Sequence, residues 1–297
     1  MKKILFILVT LIFMMSSCGT KQDPQQPAEG QKEEQQGEEP EEDVFEPSQK
    51  AEKRKAVIEE YTGVACKNCP DGHAVVDNII TLHPNKVFAI NVHTGKYSSD
   101  TYTTQYGAAL EQQAQVYGYP SASVSRHIFP DYSTQGGTSM HRSDFSSAAN
   151  QILKMETPVN IVARATIEKS TRHLTVEVKG YYTANSPEST NKLNIALLQD
   201  SVYGYQSGME NNPSQVEGSQ YRHMNMLREL ITGQWGEDLT PTTQGSSFSK
   251  TYEYDIPAEI GTPNAIKAVL NHLRVLVFIA EGKEEIYTVC QAPITFK

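Results

Sequence analysis

Beyond residue 15 the sequence has no long apolar run. Its later apolar stretches are shorter than the length of about 20 residues that a helix needs to cross a bilayer. It also lacks the serine-hydrolase elbow, the phosphate-binding glycine loop, the dinucleotide fingerprint and the zinc-protease helix. No basic stripe is present, and the net charge is −9. These absences argue against further transmembrane helices and against a nucleic-acid partner.

The N-terminus has the pattern of a secretory signal. Lys2 and Lys3 precede an apolar run over residues 4–15, and small residues then lead to Cys18. This arrangement resembles a lipobox, so we predict a lipoprotein signal peptide over residues 1–18 and lipid attachment, with palmitate among the acyl chains, at Cys18. The alternatives are an ordinary cleaved signal or an uncleaved anchor. The lipoprotein interpretation makes the membrane a partner through the lipid anchor.

Residues 19–50 form an acidic, low-complexity segment. They include ten acidic and three basic residues, and Phe45 is the only aromatic one. The segment has too little apolar surface to offset the entropy cost of folding. We therefore predict that it is a disordered tether. It also carries most of the negative charge, since the remaining 51–297 body is left with only −4.

Near Pro158 the sequence changes from alternating strand and helix patterns to strand patterns. This change predicts a first domain over residues 51–156 and a second over residues 157–297. In the first, apolar strands alternate with helical patterns in the order β-α-β-α-β-α. Cys66 and Cys69 stand where the first strand meets its helix. The order and the CxxC motif resemble the thioredoxin fold, and Pro120 falls where that family keeps a cis-proline. No tryptophan precedes Cys66, and Pro70 follows the pair instead of lying within it.

The Cys66 and Cys69 pair has three interpretations. A thiol at a helix N-terminus is favoured as thiolate by the helix dipole, which suits thiol–disulfide exchange with Cys66 and Cys69 as catalytic residues beside Pro120. A structural disulfide is the second interpretation, although so small a loop adds little chain-entropy stabilisation. The third is copper or zinc binding by Cys66, Cys69, His73 and His93, a set of soft sulfur and nitrogen ligands. No cofactor is expected under the first two.

The second half reads as antiparallel β-structure. Six runs with alternating polarity predict an all-β, immunoglobulin-like sandwich. A long insertion, residues 203–244, separates its third and fourth strands and carries a predicted short helix over residues 223–231. Loops of this length are usually functional or disordered. We expect this one to be ordered, and either to cover the Cys66 site or to form one wall of a ligand groove beside it.

Taken together, the chain resembles the outer-membrane-protein-28-like lipoproteins of Bacteroidetes. The matching motifs are residues 59–63 before the CxxC, Gln199-Asp200 with Tyr203-Gly204, residues 221–223 with Leu227-Arg228, and the closing strands at residues 274–278 and 285–291. The resemblance implies lipid anchoring at the bacterial outer membrane and this two-part architecture. The family is described as adhesins or receptors, and its activity is largely unsettled.

Two functions therefore compete. One is a thiol–disulfide oxidoreductase or redox sensor that exchanges with a protein dithiol or disulfide partner. The other is a non-catalytic surface binding protein of the adhesin or receptor type, which takes an extracellular ligand. The surroundings of Cys66 discriminate between them: exposure beside Pro120 favours exchange, whereas occlusion by the second half favours binding or a structural role.

The anchoring prediction is tested at Cys18. Cys18→Ala should abolish metabolic labelling with palmitate and release the protein from the membrane fraction, because the acylated residue is gone. A Cys290→Ala variant serves as the control and should remain labelled and membrane-bound. Labelling that persists in the Cys18→Ala variant would show that the lipid is not attached there.

Overall fold

The computed structural model describes residues 45–261 and 266–297. The predicted signal, Cys18 and most of the predicted tether therefore lie outside the described residues. In the first half the element order predicted from sequence is confirmed, with one added strand after β3. The elements are β1 (Ala56–Thr62), α1 (Cys69–Leu82), β2 (Val87–His93), α2 (Gly107–Ala114), β3 (Ser121–Val124), β4 (Ser139–His141) and α3 (Phe145–Ile152).

The second half is built from strands, and all six strands predicted from sequence are present. The elements are β5 (Val159–Glu168), β6 (His173–Tyr182), β7 (Asn191–Gln199), β8 (Val202–Gly204), β9 (Val216–Glu217), β10 (Gln220–His223), β11 (Met226–Leu230), β12 (Glu237–Leu239), β13 (Ser247–Asp255), β14 (Glu259–Ile260), β15 (Ile266–Lys267), β16 (Leu273–Ala280), β17 (Ile286–Ala292) and β18 (Ile294–Phe296). Short 3-10 turns occur at Gly95–Tyr97, Met209–Asn211, Pro213–Gln215 and Leu270–His272.

One nine-stranded sheet runs through both halves of the chain, which belong to a single compact unit over Val44–Lys297. Its order is β17-β16-β7-β11-β2-β1-β3-β4, with β12 also paired to β7. The crossing point is β11, which is antiparallel to β7 and meets β2 in parallel at Met226 and Asn91. The sheet thus passes across the predicted boundary at residues 156 and 157.

Three apolar cores surround this sheet. Along one face, a core extends from β1 and β2 to β16 and β17 and is covered by α2. On the opposite face, α1 and α3 cover the β1–β3 end. The four-stranded sheet β13-β6-β5-β18 packs over β7 and β16 and so forms a sandwich. One layer of this sandwich therefore belongs to the large sheet.

The predicted helix over residues 223–231 is wrong. The chain there forms the end of β10 and then β11. Met224, Leu227 and Ile231 have helical spacing, but β11 lies inside a sheet and is buried on both faces. A strand of this kind has apolar residues on both sides, so its sequence does not show the alternation that identifies a half-buried strand.

The end of the predicted tether also differs from the prediction. Residues 45–50 lie against the four-stranded sheet, where the Asn160 side chain donates hydrogen bonds to the carbonyls of Ser48 and Lys50 at 2.8 and 2.6 Å. Phe45 lies under the Arg164 guanidinium, 4.4 Å from ring centre to Cζ. The one aromatic residue of the segment thus gives this end a packing contact. No helix among the described residues is long and apolar enough to span a membrane.

A buried ion pair joins β1 to the turn after β3. The Arg126 guanidinium donates two hydrogen bonds to Glu59, at 2.7 and 2.6 Å, and both residues are 1% exposed. The rings of Trp235 and Phe278 lie 5.5 Å from Arg126 Cζ. Because Trp235 belongs to the insertion, this pair connects three separate parts of the chain.

Removing one partner of this pair should destabilise the fold. Arg126→Met leaves the Glu59 carboxylate buried without its cation, which costs about 3–5 kcal/mol. Trp235 fluorescence during urea unfolding measures the loss. Glu59→Leu combined with Arg126→Met should restore much of the stability, because no charge then remains. If Arg126→Met unfolds at the wild-type urea concentration, the pair does not stabilise the fold.

Candidate functional site: the Cys66–Cys69 disulfide and its cover

Cys66 and Cys69 form a disulfide at the start of α1, with a Cα–Cα distance of 5.4 Å. Cys69 is the first helical residue, Asn68 occupies the N-cap, and Pro70 stands in the first turn, where its missing N–H is tolerated. The predicted disulfide is therefore confirmed. Cys66 is 4% exposed and Cys69 is 0% exposed. Cys66 is thus the more accessible sulfur, although both are buried.

Pro120 and Glu60 approach α1 at Gly72, just beyond the disulfide. A Cβ at position 72 would lie 2.5 Å from a Glu60 carboxylate oxygen and 2.8 Å from the Pro120 Cβ. Only glycine permits this contact. The Tyr119–Pro120 peptide bond is cis. Pro120 therefore packs against the helix that carries Cys69.

Glu60 is a buried acid on β1. Its side chain is 0% exposed, and neither carboxylate oxygen has a hydrogen-bond partner among the described residues. Burial, assisted by the negative charge of Asp77, raises the pKa of Glu60 well above its usual range. Glu59 points to the opposite face of β1 and pairs with Arg126. The two neighbouring acids therefore have separate environments, because successive side chains of a strand point to opposite faces.

The insertion lies directly on the CxxC loop. Gln206 donates from its side-chain amide to the carbonyls of Gly63 and Cys66, at 3.3 and 3.1 Å. The Ser207 amide donates to the Val64 carbonyl at 2.8 Å. Asn211 donates to the Lys67 carbonyl at 3.2 Å. We refer to residues 206–211 as the cap, and its contacts confirm the prediction that the insertion covers the Cys66 site.

Three buried histidines lie beneath the insertion. His73 comes from α1, His93 ends β2, and His223 ends β10; the rings of His93 and His223 are 5.3 Å apart. Tyr102 lies against both of these rings, and Tyr221 lies against His73 and His223. Burial lowers the pKa of His73 to about 3 and that of His223 to about 4, and it lowers the pKa of His93 well below the usual value. All three are therefore neutral at pH 7.

The hydrogen bonds of His73 define its tautomer. Asn212 donates to the Tyr221 hydroxyl at 3.2 Å, so the hydroxyl proton is available to His73 Nδ1, 2.8 Å away. The His73 Nε2 then carries the ring proton and donates it to the Thr62 hydroxyl at 2.9 Å. Both ring nitrogens are thus engaged, and the insertion reaches α1 through this chain of bonds.

The four residues predicted as metal ligands are not brought together as a metal centre. Both cysteines are in the disulfide, and His73 uses both of its nitrogens. Within residues 45–261 and 266–297, no group of three or more His, Cys, Asp or Glu side chains is arranged to hold a metal ion. His93 keeps one unbonded ring nitrogen, Nδ1.

Several residues of this site were not predicted. Glu60 could have been noticed in the sequence, because an acid inside the predicted strand before the CxxC motif is costly to bury. Tyr221 and His223 appeared only as family motifs, and Arg126 gave no signal at all. Their roles depend on contacts between residues far apart in the chain, such as Tyr221 with His73, 148 positions apart, and Arg126 with Glu59, 67 positions apart. A local pattern does not encode such contacts.

The sequence of this chain was compared with models of known protein families. A family model described as outer membrane protein Omp28 matches residues 107–295, which is more than half of the chain. The chain belongs to the Omp28 family. The matched residues begin after the CxxC motif. Members of this family associate with the outer membrane.

Two solved structures from Porphyromonas gingivalis are similar to this chain. HBP35 matches with a TM-score of 0.62 and 19% identity, over 82% of this chain and 78% of that one. At this identity the match shows a shared fold. A domain of the outer membrane lipoprotein Omp28 matches with a TM-score of 0.31 and 18% identity, over 48% of this chain and 91% of that one. No curated protein matches the chain.

The buried histidines predict a loss of stability in acid. Each has a folded-state pKa below the unfolded value of about 6.5, so the unfolded chain binds more protons as pH falls below that value. Each histidine therefore lowers the free energy of unfolding by up to about 1.4 kcal/mol per pH unit. Glu60 and Asp77 oppose this, because their pKa values are raised. Three histidines outweigh two carboxyls, so the net effect is destabilisation.

Proton uptake on unfolding measures this balance. The slope of the free energy of unfolding between about pH 6.5 and about pH 5 should decrease by about one proton in His73→Gln, because the variant removes one titrating group. Gln234→Ala, which removes no titrating group, should keep the wild-type slope. An unchanged slope in His73→Gln would mean that this histidine is not held neutral by the fold.

Proposed function

We propose that the Cys66–Cys69 disulfide is redox-active, and that the protein performs thiol–disulfide exchange or redox sensing at the outer membrane while anchored through Cys18. In this proposal residues 51–156 are the thioredoxin-like half, and the β-rich half supplies the cap. The observation that supports it most strongly is the combination at α1: a disulfide at the helix start with a buried, unbonded Glu60 beside the same helix.

The chemistry assigns a role to each of these groups. A thiolate of the partner attacks Cys66 Sγ, the bond to Cys69 Sγ breaks, and Cys69 leaves as a thiolate with the electron pair of that bond. The start of α1 stabilises this negative charge. Glu60, whose pKa is raised by burial, is the proton donor in this proposal: it gives its proton to Cys69, so the products are a mixed disulfide at Cys66, a Cys69 thiol and a Glu60 carboxylate. A second thiolate releases Cys66 and completes reduction.

The cap favours sensing over rapid exchange. Because Cys66 is 4% exposed, a partner reaches its sulfur only when residues 206–211 move. Moving the cap breaks the buried hydrogen bonds of Gln206 and the exposed bond of Asn211, each of which contributes about 1 kcal/mol. Access to the disulfide is therefore controlled by the second half of the chain.

The occlusion of Cys66 also favours the second candidate, a non-catalytic surface binding protein. In that case the disulfide braces the loop on which the cap rests, and the ligand binds elsewhere. The two candidates differ in whether the cysteines form mixed disulfides under mild conditions.

Trapping distinguishes these candidates. In Cys69→Ala no resolving thiol remains, so Cys66 should accumulate a mixed disulfide with oxidised glutathione that mass spectrometry detects. Cys66→Ala should trap much less at Cys69, which is 0% exposed. If neither variant forms a mixed disulfide, the redox proposal is wrong and the binding role remains.

Alkylation of the reduced protein tests the cap. Gln206→Ala combined with Asn211→Ala removes three hydrogen bonds to the CxxC loop and should speed alkylation of Cys66 by about tenfold. Gln234→Ala is the matched control, because Gln234 lies in the insertion but donates to Tyr106. Equal rates in all three proteins would show that the cap does not control access.

A further inference from the structure

Arg228 is a buried cation on the strand that joins the two halves. It lies in β11 at a β-bulge, where the pairing with β7 shifts between Leu227 and Glu229. A bulge redirects the side chain of the extra residue, and such features are frequent beside binding sites. Arg228 is 1% exposed.

The guanidinium of Arg228 has no counter-ion in the described part of the chain. Its Nη1 contacts the Met226 sulfur at 3.1 Å, its Nη2 donates to the Ile260 carbonyl, and its Nε has no acceptor. Burial lowers the pKa of Arg228 to about 10. Arg126 is equally buried, but it has Glu59 as a bidentate partner. A buried charge without a partner is costly, so a function must explain Arg228.

Arg228 lines a cavity of about 610 Å³. This volume is within the range of sites for small organic ligands. Most of its other lining residues carry polar side chains, namely Asp100, Thr103, Thr104, Gln105, Tyr106 and Glu229, and Ile260 and Gly261 complete the lining. Glu229 is fixed by hydrogen bonds from the Tyr106 and Tyr254 hydroxyls. Asp100 forms no ion pair within the described residues.

We propose that this cavity binds a zwitterionic ligand of the amino-acid or short-peptide class, with the ligand carboxylate on Arg228 and its ammonium group toward Asp100. The carboxylate would supply the acceptor that Arg228 Nε lacks, and guanidinium and carboxylate groups match in geometry. Two carboxylates and one guanidinium give the lining a net negative charge, which disfavours a phosphate dianion. The threonine and glutamine side chains offer further neutral hydrogen bonds.

Tri-alanine is the probe for this proposal. Calorimetric titration of the purified protein should detect its binding, and C-terminal amidation of the probe should weaken affinity at least about tenfold, because the charged acceptor is lost. N-acetylation should weaken it several-fold through Asp100, and Asp100→Asn should remove that difference. Inorganic phosphate should bind more weakly than tri-alanine.

Variants test the role of Arg228 itself. Arg228→Met should abolish tri-alanine binding, and without ligand its melting temperature should equal or exceed that of the wild type, because an unpaired buried charge is removed. Arg164→Gln, in the four-stranded sheet, should bind tri-alanine normally. The comparison of probes on the wild type is a separate measurement that does not use this variant.

Four results would overturn the proposal. They are no binding of tri-alanine, equal binding of its amide, tighter binding of phosphate, or normal tri-alanine binding by a folded Arg228→Met variant. A marked fall in melting temperature of ligand-free Arg228→Met would also contradict it, because Arg228 would then be stabilising the fold through Met226 and Ile260.

Discussion

The pairing of β11 is the constraint on which the rest of the structure depends. The strand lies between β7 and β2, and the Asn91 amide donates to the Asn225 carbonyl at 2.8 Å where the two halves meet. This pairing makes one sheet from two halves of the chain. It also fixes the insertion, because β10 and β11 are separated by only a short turn. Residues 203–223 are thereby held over the CxxC loop.

Some buried polar groups have hydrogen-bond partners, whereas others keep atoms that are not hydrogen-bonded. The Glu59 carboxylate accepts two hydrogen bonds from Arg126, and both ring nitrogens of His73 are bonded, to Thr62 and Tyr221, so these contacts contribute to the fold. Glu60 and Arg228 keep atoms without partners, which lowers stability. Both lie beside features that suit chemistry or binding: Glu60 near the disulfide helix, and Arg228 at the polar cavity. Two adjacent regions of the molecule therefore have separate proposed functions.

Much of the fold could be predicted from sequence, because the patterns that determine it are local. The alternation in β6 and the CxxC before α1 identify their elements directly. The helix expected over residues 223–231 failed because β11 is covered on both faces, which removes the alternation. The shared sheet was not foreseen, since nothing local indicates that β11 pairs with β2. For the site, Cys66, Cys69 and Pro120 were predicted by motif, whereas Glu60 and Arg228 became notable only through their surroundings.

In the proposed function, the cap and the disulfide are coupled. Hydrogen–deuterium exchange of the oxidised and reduced protein tests it most directly. Reduction should speed exchange at residues 206–211, including the Ser207 amide that donates to Val64, because the CxxC loop that accepts these bonds gains freedom. Exchange in β5 and β6 should stay unchanged. Identical hydrogen exchange of the cap in both redox states would contradict the coupling between the cap and the disulfide.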